Sequence, residues 1–116
     1  MDTTAGLAST WDPNPDSLVR CIVATPANVF LGGHFLNVGG AARNRLASVN
    51  VTTGGAFSFN PNVTTTNIGT GVYTYVSTMS LQASALYFGG KFNRVGGVGR
   101  QNLASVSILD ATLNSW

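Results

Sequence analysis

Residues 32–49 read "GGHFLNVGGAARNRLASV", and residues 89–106 read "GGKFNRVGGVGRQNLASV". The two stretches agree at 11 of 18 positions, at a constant offset of 57. A glycine-punctuated segment that occurs once reads as a loop. The same segment twice in 116 residues reads as a structural unit that is repeated.

The repetition continues on both sides. Upstream, "NVFLGG" at 28–33 faces "ALYFGG" at 85–90, and "SLVRCIVAT" at 17–25 faces "TYVSTMSLQ" at 74–82. Val19 thereby corresponds to Val76, and Ile22 to Met79. "TTAGLASTWDPN" at 3–14 matches "VTTGGAFSFNPN" at 51–62, which pairs Trp11 with Phe59, and Trp116 follows Phe59 at the same offset as before. One aromatic thus recurs at positions 11, 59 and 116, and the second interval is the longer. The extra residues of the longer unit fall in "VTTTNIGTGV", a Thr/Gly/Asn stretch that reads as a surface loop insertion over 63–71.

Punctuation divides each unit into four short strands. In the first unit they are expected at about 18–25, 29–33, 45–51 and 56–60, and in the second at about 72–81, 85–90, 102–108 and 113–116. No window carries apolar residues at helical spacing, so the chain is expected to be all-β. The glycine pairs Gly32-Gly33 and Gly89-Gly90 close strands, where they permit positive φ and let another backbone or ring come close. Gly39-Gly40 and Gly96-Gly97 sit where a tight turn needs the same freedom. Phe35 and Phe92, between the pairs, are expected to plug the strand ends.

Four strands in each period of about 40–50 residues is the signature of propeller blades. The pattern "GGxFxxVGGxxRxxLASV", followed by "TTxG", an aromatic and "(D/N)PN", resembles the delta-60 type β-propeller repeat. That family occurs in large surface and extracellular proteins of bacteria and in fungal cell-cortex proteins. The resemblance covers nearly the whole chain outside the insertion and implies a scaffold fold with no catalytic residue. Two departures stand out: Phe59 replaces Trp at the middle aromatic, and "SILDATLNSW" lacks the turn glycine of "TTxG".

The domain plan is then a strand-bearing segment 1–16 that completes a neighbouring blade, a first blade repeat at 17–62, and a second at 63–116. Two four-stranded antiparallel blades cannot close a propeller of about 4–8 blades. Two stacked blades also leave two apolar faces in water. At about 500 Å² per face this forgoes on the order of 25 kcal/mol, an upper bound. The propeller is therefore expected to be completed by oligomerisation or within a longer chain, as a ring or fibre of identical two-blade units. In that scheme the strand at 7–11 finishes the last blade of the next copy, and Trp11, Phe59 and Trp116 pack between blades with Phe35 and Phe92.

Composition excludes several classes. Six Lys+Arg and four Asp+Glu give a net charge of +2, and the basic residues are scattered, so no nucleic-acid partner is expected. No apolar run is long enough for a membrane span. Low charge with abundant Thr, Ser, Asn and Gly points to an extracellular or cell-surface setting, with no signal peptide in this chain. His34 is the single histidine and corresponds to Lys91; Cys21 is the single cysteine and corresponds to Thr78. Neither position is held for imidazole or thiol chemistry, and the four Asp fall in turns. No cofactor, metal or enzymatic activity is expected. Arg43 and Arg100 share one repeat position, suited either to anchoring loop carbonyls or to binding an anionic ligand. The expected partner is the chain itself; the alternative is a module that binds a glycan or a surface protein.

Overall fold

The computed structural model describes residues 11–65 and 73–115. Most of the segment expected to complete a neighbour, most of the insertion at 63–71, and Trp116 lie outside the described residues. In chain order the strands are β1 (Val19–Ala24), β2 (Asn28–Gly33), β3 (Asn37–Val38), β4 (Ala41–Ala42), β5 (Leu46–Asn50) and β6 (Val63–Thr64). They continue with β7 (Tyr75–Gln82), β8 (Ala85–Lys91), β9 (Arg94–Val95), β10 (Val98–Gly99) and β11 (Leu103–Ser107). Every pairing is antiparallel, and no described residue is helical.

The repeat in sequence is a repeat in topology. One three-stranded sheet has the order β1-β2-β5 and another the order β7-β8-β11. Their registers correspond at the offset of the repeat: Leu31 pairs with Ala47 as Phe88 pairs with Ala104. Even the irregularity recurs, a bulge between Val19 and Cys21 in one edge strand and between Val76 and Thr78 in the other. Each sheet carries a small hairpin, β3–β4 or β9–β10, whose two-residue turn is a Gly-Gly pair. These glycines have φ of 62° and 79° at Gly39 and Gly40, and of 58° and 82° at Gly96 and Gly97. Positive φ at both central residues matches the right-handed twist of the flanking strands.

The other glycine pairs behave differently. Gly33 and Gly90 lie inside β2 and β8 without positive φ. What they supply is the absence of a side chain, since a Cβ would be driven into the carbonyl oxygen of Leu18 or of Tyr75. Close approach, rather than a left-handed backbone, is why these strand ends need glycine.

The fourth strand is a correction to the four-stranded expectation. Residues 56–60 and 113–116 do not form full strands among the described residues. Each segment makes an isolated bridge, Ala56 with Val49 and Leu113 with Val106. One further backbone bond follows in each, Phe57 N–H to Ser48 O and Asn114 N–H to Ser105 O, both at 2.8 Å. Pro61 then carries the first segment away from its sheet. Val63 and Thr64, expected as the start of a surface loop, instead form β6 against β9. Val63 is fully buried in the core, which is why the chain turns inward there.

Two apolar clusters hold the fold. The larger lies between the sheets and joins Phe30 and Leu46 of the first to Val76, Leu86, Phe88, Ala104 and Val106 of the second. The smaller covers the opposite face of the first sheet with Val29, Leu31, Phe35, Val38, Ala47 and Val49, and Trp11 packs on it. The first sheet is thus covered on both faces at β2 and β5 but not at β1, where Val19 and Ile22 are exposed, and the second is covered chiefly on one face.

Backbone conformation gives two stability predictions. Gly40→Val and Gly97→Val should each lower stability by about 1 kcal/mol or more in denaturant titration, because a β-branched residue opposes positive φ where nothing else crowds the site. Ala111 stands where the first unit has Gly54 and keeps the same left-handed turn, with φ of 62° against 81°. Ala111→Gly should raise stability by roughly 0.5–1 kcal/mol, the relief of left-handed strain less the freedom glycine gains in the unfolded chain. Unchanged denaturation midpoints would remove either assignment.

Candidate functional site

The surface that can be built residue by residue is the seam between the two sheets. β7 packs against β1 and β2. Its burial alternates, with Val76, Met79 and Leu81 turned to the first sheet and Thr78, Ser80 and Gln82 exposed on the other side. From the first sheet Cys21, Val23, Phe30 and Leu46 answer them. Phe59 lies in this cluster, its ring edge-on to Phe30 at 5.3 Å and 80°. An edge-to-face pair in a dry seam adds to the burial of both rings.

Gly32 sets how closely the sheets approach. A Cβ at this position would lie 2.7 Å from Val76 Cγ1 and 2.9 Å from Met79 Cε, both from the facing sheet. The Cys21 thiol points into the same space, 3.9 Å from the Val76 carbonyl. Burial pushes its pKa up to about 11, so it is held as an unreactive thiol.

The other residues singled out in the sequence take the following places. Trp11 is half-buried over the smaller cluster and donates its indole N–H to Asn50 O at 2.8 Å. Phe35 is fully buried in that cluster. Its counterpart Phe92 is buried in the seam cluster, 5.5 Å from Phe88. Trp116 lies outside the described residues. Arg43 donates to Ala42 O at 2.7 Å and Phe57 O at 2.9 Å, while its buried Nε has no hydrogen-bond partner. Arg100 makes the equivalent pair of bonds, to Gly99 O at 2.9 Å and Asn114 O at 3.4 Å. Both guanidinium groups tie down the short fourth segment, and these bonds use the donors that an anion would take.

One cluster escaped the sequence. At the mouth of the seam Arg20 donates its Nε–H to His34 Nε2 at 2.8 Å. The imidazole stacks on Tyr75 at 4.9 Å and 20°, and the Arg20 guanidinium sits 4.6 Å from the centre of that ring. The repeat counterparts of Arg20, His34 and Tyr75 are Ser77, Lys91 and Leu18. The cluster therefore leaves no trace in repeated positions, and its only signal is departure from the repeat. Among the described residues, no group of three His, Cys, Asp or Glu is placed to hold a metal ion, and no helix is long and apolar enough to cross a membrane.

Comparison with protein-family models, with curated proteins and with solved structures finds no match to this chain.

The His34 contacts give a pH prediction. Desolvation, and then the positive charges of Arg20 and Arg45, hold the imidazole below its ordinary value of 6.5. The unfolded chain therefore takes up this proton first as pH falls, and stability declines from about pH 6.5 down to the lower folded-state pKa. In an NMR titration the folded imidazole should titrate below the denatured one, and Arg20→Met should move its midpoint up. A folded midpoint at or above the denatured value would refute the contact.

Proposed function

We propose that this chain is a non-catalytic structural module of β-propeller type. Each three-stranded sheet, with its bridged fourth segment, acts as one blade. The chain contributes two blades to a larger ring or fibre, completed by further copies of the same unit. The delta-60 type repeat that the sequence resembles fits this role, and so does the extracellular or cell-surface setting suggested by composition.

One observation carries the proposal. Val76 on β7 is 0% exposed in the seam, whereas its repeat counterpart Val19 on β1 is 40% exposed. Met79 packs against the seam cluster, whereas its counterpart Ile22 is 58% exposed. The first unit thus presents to solvent the apolar positions that the second unit uses to bind its neighbour. Exposed aliphatics on a sheet of a soluble chain mark a surface that is covered in use.

Size-exclusion chromatography with light scattering tests this. The folded species should have a mass that is a multiple of 12.0 kDa and should fall towards 12.0 kDa on dilution. A 12.0 kDa particle that unfolds cooperatively at every concentration would overturn the proposal.

A further inference from the structure

We infer that the outer face of the β7-β8-β11 sheet receives the β1 side of a second copy of this chain, head to tail, in the arrangement that β7 makes with β1 and β2 inside one chain. This rests on the self-association proposed above and specifies which two surfaces meet.

The receiving surface inside the chain consists of Cys21, Phe30, Gly32 and Leu46. Their repeat counterparts are Thr78, Tyr87, Gly89 and Leu103. These four side by side line a shallow, solvent-open cleft of about 170 Å³ on the outer face, where Leu103 is 51% exposed. The inserted residues inside the chain are Val76 and Met79, and their counterparts are the exposed Val19 and Ile22. Glycine supplies an independent sign. At Gly32 the facing sheet forbids a Cβ, but at Gly89 a Cβ would meet only its own sheet, at 3.3 Å and beyond. Gly89 keeps the space that Val19 and Ile22 of a neighbour would fill.

The place on β11 that a neighbour's strand would take is already held by Leu113 and Asn114 of the same chain, so faces dock and no strand need be exchanged. The two surfaces are also unlike, a row of aliphatics on one side and a cleft on the other. A two-fold contact would set each against itself, whereas a head-to-tail contact sets each against its complement. Thr78 and Ser80 stand where the seam has Cys21 and Val23, so the contact between copies is weaker than the seam itself.

The test uses full chains in which Cys21→Thr removes the native thiol. Val19→Cys and Thr78→Cys are placed on separate copies, both at exposed positions. A short thiol-to-thiol crosslinker should join the mixture into Val19→Cys/Thr78→Cys dimers and should leave either variant alone uncoupled. Ile22→Asp, at a position already in water in the isolated chain, should reduce the particle mass to that of the single chain with unchanged circular dichroism. Coupling of either variant to itself, or an oligomer with no mixed coupling, would overturn the head-to-tail seam while leaving self-association standing. A monomeric parent chain would overturn both.

Discussion

The closeness of β7 to β2 is the constraint on which the rest of the structure depends. Gly32 carries no side chain, so Val76 and Met79 pack close to the backbone of the first sheet. With that gap closed, Phe30, Phe59, Leu86 and Phe88 share one dry cluster. Without it each sheet would leave its seam face in water, and the burial that joins the two sheets would be lost. A side chain at Gly32 would meet Cys21 Sγ, Val76 Cγ1 and Met79 Cε within 3 Å, at the middle of the larger cluster.

The seam also explains why two similar sequences end in different surroundings. In β2 the residues on both faces are buried, with Phe30 in the seam and Val29 and Leu31 beneath Trp11 and Phe35. In β8 only one face is so covered, by Leu86 and Phe88, and Tyr87 stands half-buried on the other. The substitutions between units follow this difference. Phe30 becomes Tyr87, Cys21 becomes Thr78 and Val23 becomes Ser80, each with a hydroxyl on the more open face. Ser48 and Ser105 stay buried in both units, and each accepts a side-chain amide, from Asn28 in one and from Asn114 in the other. The repeat conserves satisfied polar positions even where the partner has moved.

Much of the fold was legible because it is periodic. The strands around 18–25, 29–33 and 45–51, their counterparts in the second unit and the Gly-Gly hairpins appear close to where they were expected. The failures have physical causes. Gly33 and Gly90 were expected to use both positive φ and close approach, but they use only the latter, because glycine serves both needs and sequence does not show which one a strand end requires. The fourth strand was expected at full length because Ala56-Phe57 and Leu113-Asn114 carry ordinary strand residues; what shortens the first is Pro61 and the pull of buried Val63 towards β9. The Arg20–His34–Tyr75 cluster was invisible because it joins both units and its counterparts Ser77, Lys91 and Leu18 are of other kinds. Periodicity reveals what is common to the units, and the seam's own polar contacts are what the units do not share.

That short fourth segment has a consequence for how such units combine. A full strand at 56–60 would commit its backbone to one sheet and end there. Instead the segment makes a single bridge, is held by a guanidinium rather than by a ladder, and leaves to pair with the hairpin of the next unit. Arg43 on Phe57 O and Arg100 on Asn114 O do the same work one period apart. Backbone contacts continue the crossing: Gly96 N–H donates to Asn62 O at 3.1 Å, as Gly39 N–H donates to Pro13 O at 2.6 Å. Each connector thus belongs half to the sheet it leaves and half to the sheet it enters. Pro13 already approaches the first sheet as Asn62 approaches the second, so each sheet receives a connector from the period before it. In the proposed assembly this shared connector sets the order of the units, while the apolar faces supply the attraction between them.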